Sequence, residues 1–324
     1  MLVSHVGSFP LDPQPGIEEK ILEDLYRIGV DVPPYPQLRS FIDIYLEPLA
    51  NRGLLEKKGD FYYSTINRLL GVKPPRLEIP EAKISVKIVR EKKLGFKGLR
   101  APVTGPYTLA SRVYFENPEK GLRATMVSKP DIVAGFFVEY VKEFVEYMRD
   151  LGYNTIFIDE PILGVIVGKR RILYGHSVDS IIGNLEKLYS VKGENNIGGI
   201  HVCGRISSKL FEILSQVKGL TILNFEFKDT PENLDVIDYR LLEEYDKILA
   251  PGVASAKKPI VESVDEIREL LNRVYNIAHG RINYVSADCG FGGLKGAFDD
   301  PYKAYEVGLK KLENIVAAVK GATK

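Results

Sequence analysis

Short apolar runs rich in β-branched residues recur along the chain at 1–6, 29–33, 98–103, 154–159, 197–202, 220–227, 247–253 and 282–287, eight in all. Between most of them lie longer stretches with apolar residues three and four apart, such as 129–152, 177–191 and 263–278. The first of these ends at Gly152, and the last opens with Ser263 and Glu266 at capping-box spacing. Strand then helix, repeated eight times, predicts one α/β domain over 1–324 built as a (β/α)8 TIM barrel. A doubly wound parallel sheet shares the same alternation, since rhythm alone does not show closure. Segment 82–100, AKISVKIVREKKLGFKGLR, alternates at period two and predicts a small β-hairpin inserted beside the barrel.

The residues that carry chemistry follow these runs. They are Gly7-Ser8, Thr104-Gly105-Pro106, Asp159-Glu160-Pro161, His201 with Cys203, Glu226, and Asp288-Cys289-Gly290. In a barrel all of those strand ends open on one face, where active sites are built from several loops. Residues two apart on a strand point the same way, so His201 and Cys203 can both face the axis or mouth. Cys203 and Cys289 are the only cysteines in the chain. Taken singly, a cysteine is most often a small buried hydrophobe and a histidine a hydrogen-bonded scaffold residue. Taken together, one imidazole, two thiolates and the Glu226 carboxylate make four candidate ligands for a tetrahedral, borderline-soft cation, which fits zinc and not calcium or magnesium.

Bulk properties narrow the partners. A formal net charge of +1, with 27% charged and 45% apolar residues, gives no electrostatic bias toward nucleic acid or an anionic membrane. No apolar run approaches the ~20 residues that cross a bilayer, and the N-terminus lacks a basic segment ahead of an apolar one. A cytoplasmic protein with reduced thiols is the expectation.

At this point the motifs themselves become informative. HVGSFP near the start, PVTGPYTL (102–109), FIDEP (157–161), HVCG (201–204), NFEF (224–227) and SADCGFGG (286–293) together resemble the catalytic C-terminal half of cobalamin-independent methionine synthases, in the same order and over nearly the whole chain. The resemblance implies a barrel of the uroporphyrinogen decarboxylase and methionine synthase type. It also implies zinc held by His201, Cys203, Glu226 and Cys289, and transfer of a methyl group to the thiol of homocysteine to give methionine. Gly7, Ser8 and Asp159 are then expected to hold the amino-acid part of the substrate, with Asp159 also a catalytic candidate.

Three positions depart from the family pattern. Gln37 falls where the family has a glutamate for the substrate amine. Arg112 falls near the place of a tryptophan in the folate-using enzymes, and the chain has no tryptophan. Lys257 stands where the family has a histidine that protonates the departing folate nitrogen. These departures, with no counterpart of the family's N-terminal barrel, suggest a core-type enzyme of the kind found in archaea. Its donor is then a methylcorrinoid or a folate- or methanopterin-like carrier, and its partner a corrinoid protein or a separate N-terminal-like subunit. Methyl transfer to another thiol such as coenzyme M, and a noncatalytic zinc-binding accessory role, are the competing readings.

Overall fold

The computed structural model describes residues 1–321. Its strands are β1 (Leu2–Val3), β2 (Glu56–Lys58), β3 (Phe61–Tyr63), β4 (Arg100–Thr104), β5 (Val113–Tyr114), β6 (Thr155–Asp159), β7 (Ile197–Val202), β8 (Ile222–Glu226), β9 (Ile248–Gly252) and β10 (Tyr284–Val285). Strands β4, β6, β7, β8 and β9 form one parallel sheet in that order. Parallel bridges Leu249↔Ile282 and Gly252↔Ser286 join it to the β10 segment, and β10 pairs in parallel with β1. From β1 the ring continues through Ser4↔Val32 and returns to β4 through Pro34↔Arg100. Eight parallel staves thus close on themselves, and the open doubly wound sheet is excluded.

The second stave, expected at 29–33, carries no regular ladder. Pro33 and Pro34 have no N–H to donate, so this stave is tied in by single contacts. Asp31 and Val32 both donate to the Val3 carbonyl, and Arg100 N–H donates to the Pro33 carbonyl.

Strand register sorts the side chains into two populations. Partners Pro102↔Phe157↔Gly199↔Ile222 and Thr104↔Asp159↔His201↔Asn224↔Ala250 share one side, and their neighbours share the other. The outer set is apolar: Ala101, Val103, Ile156, Ile158, Ile200, Val202, Leu223, Phe225 and Leu249 all belong to the large core beneath the helices. The inner set holds Arg100, Asp159, His201, Asn224 and Glu226, every one buried. Val32, Phe157, Ile222, Ala250 and Tyr284 form a separate apolar cluster, and the Arg100 guanidinium lies 3.7 Å from the Phe157 ring centre. Gly199 makes room for that ring, since a Cβ there would come within 2.6 Å of it.

The outer helices follow the sequence pattern. Val138–Leu151 buries Val138, Val141, Phe144, Val145 and Met148 and stops at Gly152, whose φ of 99° is the left-handed conformation glycine tolerates. Val264–Ile277 begins with the Ser263/Glu266 capping box. Segment 82–100 is a correction. Most of it lies in a helix, Pro80–Glu91, with a loop running on to β4. Ala82 and Ser85 are buried there and Val86 and Val89 half-buried, a spacing of three and four that the period-two alternation overlays. Proline at the first helical position and Glu81 in the first turn favour that start. The hairpin beside the barrel lies earlier, formed by antiparallel β2 and β3, with β5 added in parallel to β3.

The long helix Pro301–Gly321 brings Lys311 into the protein, where it ion-pairs with Glu262 at 2.8 Å, both side chains buried. Glu262 in turn accepts the Ser255 N–H at 2.9 Å, anchoring the loop after β9. Lys311→Met is expected to destabilise the fold by about 3–5 kcal/mol, because it strands a buried carboxylate. Urea denaturation checks this, and the Lys311→Met, Glu262→Gln double variant should recover part of the loss; an unchanged midpoint in Lys311→Met would refute it.

Candidate metal centre

β7 ends at Val202, and Cys203 follows on the same side of the stave as His201. Gly204, at φ 78°, then turns the chain away. His201 Nε2 stands 2.8 Å from Cys203 Sγ, and Cys203 Sγ stands 3.1 Å from Cys289 Sγ. Donor atoms of all three residues lie within 4.8 Å of one another. A sulfur separation of 3.1 Å is far beyond the ~2.05 Å of a disulfide. Zinc bonded to sulfur at about 2.3 Å would set its ligand atoms roughly 3.7 Å apart, so this triangle is of the right size.

Two clamps hold the loops that carry it. Asp288, next to Cys289, accepts the backbone N–H groups of Phe227 and Lys228 at 3.1 Å and of Asp229 at 2.6 Å, joining the loop after β8 to the one after β10. Burial pushes its carboxyl up to about 7, against the pull of those donors. Asn233 donates to the carbonyls of Gly204 and Glu226 and accepts from Ile206 N–H, joining the Cys203 turn to the end of β8. Between the two sulfurs the proton is unequally shared. The hydrogen bond from Cys203 and the nearby His201 charge hold Cys289 well below the usual thiol range, while Cys203, the donor, is pushed up. One imidazole, one thiolate and one thiol that can ionise make a donor set suited to zinc.

Glu226 lies beside this triangle and outside it. Its side chain is buried, Oε1 accepts from the Thr230 hydroxyl, and Oε2 has no hydrogen-bond donor but lies 3.8 Å from Lys257 Nζ. Lys257 is otherwise exposed. Asp159, at the end of β6 and in register with His201, has a buried Oδ1 with no partner. Burial pushes its carboxyl up to about 7, although the His201 and Arg100 charges pull it down. The helix Pro161–Ile166 is entered through Glu160, not Asp159, so Asp159 is free of a capping role. Glu160 instead reaches across to accept from Tyr107 N–H, Thr108 N–H and the Thr108 hydroxyl, capping the helix Pro106–Ala110.

Ser8 and Gln37 are bridged in parallel, and a Cβ at Gly7 would come within 2.5 Å of Gln37 Oε1. Gly290 likewise has no room for a side chain against the Ser8 backbone. Ser8 Oγ accepts from Gly292 N–H at 3.1 Å. A cavity of about 400 Å³ is lined by Ser8, Gln37, Phe41, Lys257, Cys289 and Gly290. Arg112 is not in it. It is exposed and lines an adjoining cavity of about 370 Å³ with Lys57, Phe61, Tyr62 and Tyr114, the two cavities sharing Ser40 and Phe41. Gly7, Ser8, Gln37, Asp159, Lys257 and the three-residue triangle therefore gather at the strand ends, and Arg112 lies next door. Sequence reading missed Thr230 and Asn233, four and seven residues past Glu226 in a polar loop with no motif to single them out.

Comparison with known proteins identifies the family. The family model described as "Cobalamin-independent synthase, Catalytic domain" matches residues 19–304. A methionine synthase of Methanothermobacter marburgensis is 30% identical, the alignment covering 98% of this chain and 99% of that protein. One from Sulfolobus acidocaldarius is 24% identical over 91% of this chain and 78% of its own. Among solved structures, a B12-independent methionine synthase from a Shewanella species superposes with a TM-score of 0.64 at 15% identity, covering 99% of this chain and 97% of that one. A methyltransferase from Methanosarcina mazei gives 0.67 at 18%, covering 96% and 86%. At those identities the structures speak for the barrel fold. Among the described residues no helix is long and apolar enough to cross a membrane. The chain belongs to the family of cobalamin-independent methionine synthases, through their catalytic domain.

Proposed function

We propose that this chain is a methyltransferase that makes methionine by methylating the thiol of homocysteine, at a zinc ion held by His201, Cys203 and Cys289 with Glu226 as the fourth ligand. The observation that carries this reading is the triangle of one imidazole nitrogen and two sulfurs, at the barrel mouth beside a cavity fit for a small amino acid. Zinc, when bound, would keep the substrate sulfur a thiolate at neutral pH, where a free thiol of pKa about 8.5 is mostly protonated.

The protein groups supply the rest. Asp159 offers a buried, partnerless oxygen to the substrate ammonium. The Ser8 turn offers a hydroxyl to the carboxylate, with Gly7 keeping the backbone close; Gln37 is neutral and orients the amine without pairing its charge. Glu226, placed between Thr230 and Lys257, would have partners to accept it if the substrate sulfur took its place on the metal. We assign the donor to the adjoining cavity with Arg112. With Lys257 where the family has the histidine that protonates the departing nitrogen, the site favours a leaving group that departs without a proton, as a corrinoid does, over a folate- or methanopterin-like carrier. A corrinoid protein or a separate N-terminal-like subunit would present it. Transfer of labelled methyl from a panel of corrinoid and pterin donors to homocysteine or coenzyme M tests the whole reading; no transfer to homocysteine from any donor refutes it.

Two variants sharpen it. Cys203→Ser or Cys289→Ser should lose most of the zinc measured by elemental analysis and abolish methyl transfer; full zinc content in either variant would sink the ligand assignment. Asp159→Asn should raise the KM for homocysteine about 10- to 100-fold, the cost of one charge-assisted hydrogen bond, with kcat changing less. An unchanged KM would remove Asp159 from the substrate site.

A further inference from the structure

Asn224 lies on β8 in register with His201 on β7 and Ala250 on β9, and is fully buried. Its Oδ1 is 3.0 Å from His201 Nδ1 and accepts from Arg100 Nη2 at 3.3 Å. Its Nδ2 donates to the Ala250 carbonyl at 2.6 Å and to the Ser286 hydroxyl at 3.3 Å. Ser286 directs its own proton to the Ala287 carbonyl, 2.8 Å away, so its oxygen faces Asn224 as an acceptor. Only one orientation of the amide satisfies all of these neighbours. Turned over, it would set NH2 against the guanidinium and oxygen against the Ala250 carbonyl, two repulsive contacts in a dry interior.

With Oδ1 facing the ring, His201 Nδ1 must carry the proton, because a carbonyl oxygen can only accept. Whenever the ring is neutral, its Nε2 lone pair is then left on the side of Cys203 Sγ. Arg100 is unusual in its own right. Among the described residues it makes no ion pair; it lies flat on Phe157 and its Nε has no acceptor. Burial lowers it only to about 10, so it stays charged at neutral pH.

We propose that Asn224, oriented by Arg100, is a positioning residue that locks His201 in the Nδ1–H tautomer, so that Nε2 is the ring atom offered to the metal. The assignment rests on the metal reading above for its purpose, and on the barrel interior for its geometry. A hydrogen bond to the ring nitrogen that faces away from a metal fixes the ring's orientation and raises its basicity as a ligand.

The test is long-range 1H–15N correlation of the histidine rings in 15N-labelled protein, metal-free and zinc-loaded. The chain has four histidines, and the His201→Gln spectrum assigns the signal. The expected result, recorded at a pH where the ring is neutral, is the Nδ1–H tautomer in both states. The Nε2–H tautomer in metal-free protein, or zinc bound through Nδ1, overturns the proposal. In a chelator competition Asn224→Leu should bind zinc about 10- to 100-fold more weakly, whereas Asn224→Asp, which keeps an acceptor for His201 and Arg100, should stay within a few-fold of wild type. Folded Asn224→Leu with unchanged affinity also overturns it; if that variant does not fold, the wild-type spectra and Asn224→Asp decide. A wild-type chain that shows the Nδ1–H tautomer but takes up no zinc refutes the metal reading and leaves the lock standing.

Discussion

Side chains two residues apart on a strand share a side, and in this barrel that alternation separates two kinds of chemistry. Outward positions on β4 and β6–β9 are aliphatic or aromatic and pack under the helices. Burying that face drives closure, each fully buried large side chain contributing roughly 1.5–3 kcal/mol. Inward positions are thereby released from the need to be apolar. They carry a guanidinium, two carboxylates, an imidazole and an amide, all shielded from water. A register shift of one residue on any of these strands would exchange the two populations and lose both the core and the site.

Buried polar groups on that scale must satisfy one another, and they do so mostly across strands. Asp288 ties the loop after β8 to the Cys289 segment, Asn233 ties the Cys203 turn to β8, and Glu160 on one stave caps the helix that follows another. The loops of the mouth are thus set by carboxylates and amides with several partners each, so the triangle of donor atoms stands on a rigid frame and not on loose loops. Asp159 and Glu226 each keep a buried oxygen without a hydrogen-bond partner, as Arg100 keeps its Nε.

Much of this was legible in the sequence because it is local. Seven of the eight staves read as apolar runs that became strands, and the helix caps at Ser263 and Gly152 lie where their residue types belong. His201 and Cys203 could be paired from a spacing of two. What failed was either ambiguous locally or non-local. Between Ala82 and Val89 the residues satisfy periods of two and of about 3.6 at once, and packing of one face against the barrel decided for helix. The stave read at 29–33 is visible as β-branched sequence, but Pro33 and the Pro34 that follows deny it a ladder. Asn224 and Arg100 sit 124 residues apart and meet only across the barrel, so no window of sequence could join them. Glu226 was readable as a strand-end carboxylate. Its separation from the sulfur triangle was not, because Thr230 and Lys257 come from different loops.

The stack of Arg100 on Phe157, made possible by the absent Cβ at Gly199, plugs the barrel just below the imidazole. A plugged barrel has no bore, and traffic to the centre comes from the open end alone. The cavities at that end are edged by Phe41 and by Lys57, Phe61 and Tyr62 of the β2–β3 hairpin, so the bulk of any ligand is limited by that lip and not by the width of a channel.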